Sequence, residues 1–287
     1  MSQSQAVPSV FPTATRERPA TRVVLTGVTI VLLVILLLLP LTVIFTEALS
    51  RGLGAVGVAL TDPDSLASIK LTLLVAAVSV PLNTVCGLAA AWCIGRFQFR
   101  GRSLLLTLIE LPLSVSPVIS GLVWVLLFGA NGWFGPMLDR AGVRIIFAVP
   151  GLILATLLVT FPFVARTLIP LMQQQGAAEE EAAITLGAGF WQMFWRVTLP
   201  NMRWGLLYGV LLGNARAMGE FGAVAVVSGH VRGQTMTMPL QVEALFNDYD
   251  WIGAFTIAGL LSLLALVTLA VKAALEWRIG ERSGALL

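Results

Sequence analysis

Long uncharged apolar runs, separated by short polar and charged segments, organise this chain from end to end. A helix needs about 20 apolar residues to cross the hydrocarbon core of a bilayer. Residues 23–46 carry no charge between Arg22 and Glu47 and predict a first span. Residues 71–95, between Lys70 and Arg96, predict a second. The stretch 103–138 holds only Glu110, and a third span over 104–128 ends at the turn signal Gly129-Ala130-Asn131-Gly132. Residues 145–165 predict a fourth span, 204–228 a fifth that contains Arg216 and Glu220, and 251–271 a sixth. The expected fold is all-α and polytopic, with six transmembrane helices.

The first span, within 22–47, is too long for the apolar region of a signal peptide, and no small-x-small cleavage site follows it. It is expected to remain as an anchor. Residues 1–21 are polar, hold three prolines and read as a disordered cytoplasmic tail; 276–287 form a second tail. No internal repeat stands out, so the inverted halves of many secondary transporters are not visible.

Composition supports lipid as the solvent. The chain of 287 residues is 57% hydrophobic and 11% charged, with a mean hydropathy of +0.89, against about 25% charged residues in soluble domains. Its net charge of +3 comes from basic residues scattered between apolar runs, which speaks for membrane orientation and against nucleic-acid binding. With the N-terminus in the cytoplasm, eleven basic residues fall inside: Arg16, Arg18, Arg22, Arg96, Arg100, Arg102, Arg196, Arg203, Lys272, Arg278 and Arg282. Four fall outside: Arg51, Arg140, Arg144 and Arg232. Lys70, Arg166 and Arg216 lie in or at the edges of spans. The excess inside places both termini in the cytoplasm. Cys86 and Cys93 lie roughly 10 Å apart along one helix, too far to bridge. A single histidine, His230, argues against His-rich metal sites, and no metal is expected.

The cytoplasmic loop between spans four and five, 172–203, carries more than a linker needs. Glu179, Glu180 and Glu181 suit the positive end of a short helix. Gly187 and Gly189 allow a sharp turn, where a side chain would clash or force another φ. Phe190, Trp191, Phe194 and Trp195 follow as membrane-interface residues, and Pro200 is expected to end the second short helix. Ala182 and Ala183 leave one face bare for close approach by another protein.

The spacing of Glu181-Ala182-Ala183, Gly187, Val197, Leu199 and Pro200 resembles the EAA loop of ABC-importer inner-membrane permeases, with valine where that family commonly has isoleucine. Leu111 to Pro117, Phe128 to Gly135, and Asn214 to Ala223 are similar to the sulfate/thiosulfate branch, in its CysW-type subunits. The likeness covers residues 65–275. It implies a type I ABC-importer permease fold in the bacterial inner membrane. It also implies a heterodimer with a CysT-type permease, two ATPase subunits and a periplasmic sulfate- or thiosulfate-binding protein. The chain itself shows no P-loop: Lys70 precedes Leu71, Lys272 precedes Ala273, and neither follows a glycine-rich turn. No cofactor is expected on this chain, and ATP and Mg belong to the partner ATPase.

Charge inside a span is costly and points to function. Arg216 and Glu220, four residues apart, share a helical face; Arg216 either meets a divalent oxyanion or is neutralised by Glu220 to lock packing. Asn214 lies beside them. Glu110, Pro112 and Pro117 mark span three as a pore-lining candidate, because a proline-broken helix is tolerated beside a cavity. A secondary anion transporter would account for the spans but not for the loop. A membrane-embedded enzyme would need a catalytic constellation that the sequence lacks. Within the permease reading, molybdate or tungstate is the alternative cargo.

Overall fold

The computed structural model describes residues 19–284; the tail expectations for 1–18 and 285–287 lie outside them. No strand occurs among the described residues. The helices in chain order are α1 (Pro19–Leu49), α2 (Gly52–Thr61), α3 (Pro63–Arg96), α4 (Arg102–Ser114), α5 (Pro117–Phe128) and α6 (Gly135–Arg140). They continue with α7 (Val149–Gln175), α8 (Ala178–Thr185), α9 (Phe190–Met193), α10 (Leu199–Met218), α11 (Gly222–Ser228), α12 (Met238–Asn247) and α13 (Trp251–Gly284).

By length and apolarity α1, α3, α7 and α13 each suffice to cross a membrane, and two bent pairs raise the passages to six. The expected six spans are present, but two of them are not single helices. Span three breaks between α4 and α5 with a bend of 106°. Its cause is local: Val115 and Ser116 are extended, as steric crowding from Pro117 favours for the residue before it, and Pro117 then opens α5. Pro112, by contrast, lies buried inside α4 without breaking it. Span five breaks over Gly219, Glu220 and Phe221, between α10 and α11, with a bend of 50°. The apolar helix α2 was not anticipated.

Helix ends also differ from the apolar windows. Charged residues bound those windows, whereas backbone hydrogen bonding runs through them. Arg166, placed at the edge of span four, lies well inside α7.

The centre of the molecule is α7, flanked by α3 and α10. Small residues let these helices approach, as lipid-embedded packing requires. A Cβ on Gly87 of α3 would lie 2.8 Å from the Val164 Cβ, and one on Gly205 of α10 would lie 2.4 Å from a Leu171 methyl. Two apolar clusters form along α7. One joins Leu71, Leu152, Val159, Val224 and Leu240; the other joins Ile94, Ile109, Leu168, Met172 and Met202. A polar layer sits between them. Asn83 donates from Nδ2 to the Leu157 carbonyl (3.1 Å) and to Thr160 Oγ1 (2.7 Å), and Thr160 donates to the Thr156 carbonyl (2.7 Å). Such interhelical bonds contribute about 1 kcal/mol each in a membrane and fix the register of the pair.

Outside this core, α1 packs on α13 and α2 and presents Val23 through Leu39 outward, as an anchor in lipid does. The chain has two ends. At one lie α8, the C-terminal end of α3 and the start of α10. At the other, Phe147 donates its N–H to the Val227 carbonyl (2.9 Å) and Met238 donates to Thr72 Oγ1 (2.8 Å). Arg51 and Arg232 line one cavity at this second end, and Arg144 lines another.

Candidate functional site

The loop after α7 folds into a helix, a glycine turn and a second helix, as its sequence predicts. Glu179, Glu180 and Glu181 occupy the first turn of α8 and face its partial positive charge. Ala188 N–H bonds the Ala183 carbonyl (3.0 Å) and Gly187 N–H bonds that of Ile184 (2.9 Å), the paired contacts of a Schellman cap. Gly187 takes φ +88°, a conformation that costs glycine nothing and a side chain energy. The expectation of a clash is corrected: a Cβ at Gly187 would meet nothing within 4 Å. Its backbone conformation alone demands glycine within this chain.

The tip of this arm is bare. Glu181 and Ala182 are exposed and Ala183 is half-buried, while Ile184 and Leu186 are 57% and 89% exposed. Pro200 does not end the second helix. It lies in the first turn of α10, and α9 runs into α10 through a widened turn over Phe194–Thr198, closed by Leu199 N–H bonding the Phe194 carbonyl. Proline cannot donate to the Arg196 carbonyl, and a wider turn accommodates the missing bond. Val197 and Leu199 are half-buried along this connection. Of the four aromatic residues, Trp191 and Trp195 are exposed as expected of interface residues. Phe190, also exposed, and Phe194, buried, stack on Trp92 of α3, at 5.2 and 5.0 Å between ring centroids.

The buried carboxylate that ties α8 to the bundle is Glu180. Its Oε2 lies 2.9 Å from Arg96 Nε, and its Oε1 accepts from Arg96 Nη2 (3.0 Å) and from the Thr198 hydroxyl (2.8 Å). Arg96 Nη1 also donates to the Met172 carbonyl (2.8 Å) and to that of Gly176. The sequence reading selected neither Arg96 nor Thr198 as a site residue and treated Glu180 as one of three similar acids.

Deeper in the bundle, Arg216 Nη2 lies 3.0 Å from Glu220 Oε2. Glu220 sits in the break of span five rather than in a continuous helix. There its Oε1 accepts the Ala223 N–H (3.0 Å) that opens α11. The Glu220 side chain is 1% exposed and that of Arg216 is 36% exposed. Asn214 donates from Nδ2 to Met218 Sδ (3.5 Å). The structure brings Pro117 to the same place: a Cβ on Gly222 would lie 3.1 Å from the Pro117 Cβ, so the breaks of spans three and five meet. Glu110, exposed, and Pro112, buried, lie earlier on α4. Arg166, not selected from the sequence as a site residue, is the one exposed residue of α7 between Gly151 and Ile169.

At the other end, Asn131-Gly132 form a turn as predicted, Trp133 is 85% exposed, and a cavity of about 590 Å3 is lined by Phe128, Asn131, Arg144 and Phe147. Cys86 and Cys93 are free thiols. Among the described residues no group of His, Cys, Asp or Glu is arranged to hold a metal ion.

Comparison with known proteins agrees with this architecture. Residues 83–280 match the family described as binding-protein-dependent transport system inner membrane component. The chain is 52% identical over 255 residues to the sulfate transport system permease protein CysW of Escherichia coli (strain K12), covering 89% of this chain and 88% of that one. It is 53% identical over 249 residues to the CysW of Synechocystis sp., covering 87% and 90%. Identity to the sulfate transport system permease protein CysT of Escherichia coli is 33% over 256 residues, covering 89% and 92%. The fold resembles a chain in the crystal structure of a bacterial ABC transporter that imports alginate, with a TM-score of 0.73 at 20% identity, covering 90% of this chain and 97% of that one. The family match and these relatives span the bent spans and the loop alike: this chain belongs to the inner-membrane components of binding-protein-dependent transport systems, the ABC-importer permeases.

Proposed function

We propose that this chain is one of two transmembrane subunits of an ATP-driven importer of sulfate or thiosulfate in the bacterial inner membrane. The observation that carries the substrate is the identity of about half to CysW proteins over nearly the whole of both chains. The likeness to CysT supports a homologous second permease as partner. A solved relative with a periplasmic protein bound supports an external binding protein. Two ATPase subunits hydrolyse ATP with Mg, and this chain binds neither.

In this reading the α8 end is cytoplasmic, with both termini on that side. The arm of α8, Gly187 and α9 seats Glu181, Ala182, Ala183 and Leu186 in a cleft on the ATPase. Closure of the ATPase dimer around ATP pulls the arm, and the spans switch as rigid bodies between inward-open and outward-open states. The ground for the arm's role is its shape: exposed aliphatic side chains stand on a short helix locked to three spans. An importer of molybdate or tungstate is the second reading.

Uptake of labelled sulfate, thiosulfate and molybdate by the reconstituted complex tests the substrate. Saturable, ATP-dependent uptake of sulfate or thiosulfate is expected, and uptake of molybdate alone would select the second reading. Orientation has a separate test. In a background lacking Cys86 and Cys93, Phe99→Cys and Ala178→Cys should resist an impermeant thiol reagent in right-side-out vesicles, while Asp139→Cys and Asn247→Cys should react. All four positions are exposed. Labelling at 178 from outside would overturn the orientation.

A further inference from the structure

Six side chains gather around a polar cavity of about 300 Å3 where α8 meets the bundle; Arg96, Gln175, Glu179, Glu180 and Asn201 line it and Thr198 adjoins it. They come from the end of α3, the end of α7, the first turn of α8, the widened turn and the start of α10. Every bond in the cluster joins two of these elements. Arg96 reaches the Glu180 carboxylate and two carbonyls that α7 leaves free at its end. Thr198 donates to the same carboxylate. Asn201 Nδ2 donates to Glu179, and Gln175 Nε2 donates to the Asn201 carbonyl (3.0 Å). The Arg96 and Glu180 side chains are each 10% exposed, so this is a largely desolvated ion pair and not a surface one.

We infer that Arg96 is a positioning residue for energy coupling: through Glu180 and Thr198 it clamps α8 to the ends of three spans, so that a pull on the arm moves all three together. The inference rests on the importer reading and deepens it. Apolar packing could hold α8 in place but would slide under load, whereas a guanidinium that donates from Nη2 to a carboxylate and from Nη1 to two carbonyls fixes direction as well as distance. The stacking of Phe190 and Phe194 on Trp92 brings the second helix of the arm onto the same end of α3. The neighbouring acid Glu181 is exposed and available to the ATPase. Two adjacent glutamates thereby divide the work, one facing inward to the bundle and one outward.

The test uses the complete complex of both permeases, the ATPase and the binding protein, reconstituted in proteoliposomes, with uptake and ATP hydrolysis measured together. In Arg96→Gln, hydrolysis should continue while oxyanion taken up per ATP falls about tenfold, as expected for loss of a buried pair on a coupling route. Arg96→Lys keeps the charge but loses the fork and should recover only part of the ratio. Thr198→Val removes one bond and should give an intermediate loss. A residue that served only the fold would lower the amount of complex without changing this ratio. An assembled Arg96→Gln complex with the wild-type ratio would overturn the clamp. If Arg96→Gln does not assemble, a wild-type ratio in Thr198→Val would overturn it equally. A wild-type complex that hydrolyses ATP yet imports none of the tested oxyanions would contradict the importer reading itself, which separates the two failures.

Discussion

Replacement of Gly187 by valine is expected to abolish uptake while the protein still inserts and packs its spans. Gly187 holds φ +88° at the cap of α8, and a β-branched residue is among the least able to follow it there. The strain is about 1–3 kcal/mol, small beside the packing of six passages but large beside the stability of an eight-residue helix. The cap would give way before the fold. Ile184 and Leu186, the most exposed aliphatic side chains of the arm, would then point elsewhere. Because the space around Gly187 is open, size should matter less than backbone preference. Asparagine, which tolerates this conformation, should retain most uptake, alanine less and valine none. Uptake and co-purification with the ATPase, measured for the three variants, check the order. Equal loss in all three would show that the ATPase fills the space beside Gly187 and that contact, not φ, sets the requirement. Glu181→Lys, on the exposed face, should abolish uptake by weakening ATPase docking with the backbone intact.

The second large effect concerns Arg216 and Glu220. Removing the arginine alone leaves a carboxylate that is 1% exposed without its partner, and such a buried charge costs several kcal/mol. Arg216→Gln is therefore expected to lose expression as well as uptake. Glu220→Gln should be milder, for Arg216 retains partial exposure and a glutamine oxygen at 220 can still accept the Ala223 N–H. The double variant should recover expression relative to Arg216→Gln, the signature of a pair in a double-mutant cycle. An Arg216→Gln protein that folds, docks the ATPase and loses only anion flux would instead place this charge on the anion's route. The meeting of the two span breaks at Pro117 and Gly222 gives the pair its context. Glu220 accepts the Ala223 N–H at the start of α11, next to Gly222, where span five meets Pro117 of span three.

Much of this molecule is local, and local chemistry is legible in the chain. Apolar runs long enough for a bilayer located all six passages, because the demand for an uncharged segment is met residue by residue. The glycine at 187 announced its turn, since a left-handed cap needs glycine whatever surrounds it. Ser116-Pro117 carries the break of span three in two residues, and the proline interruption expected there is present, although its bend of 106° is set by the packing of the two halves. Counting charge misjudged helix ends. Arg166 closed a window on paper although backbone hydrogen bonding continues for nine residues beyond it, to Gln175.

Relations between distant segments belonged to the tertiary structure alone. Nothing in three successive glutamates tells which one turns inward; that depends on Arg96, 84 positions earlier, arriving at the same end of the bundle. The pairing of Arg216 with Glu220 was legible in their four-residue spacing, but the three-residue break that leaves the Glu220 side chain 1% exposed was not. Spacing in a sequence records the geometry of one helix at a time. The partner a charged side chain finds is set by how helices cross, and those crossings arise from small residues such as Gly87 and Gly205 meeting bulky ones far away in the chain. The amino-acid sequence thus determined the solvent, the passages and the turn of the arm, while packing decided which charges hold that arm to the spans.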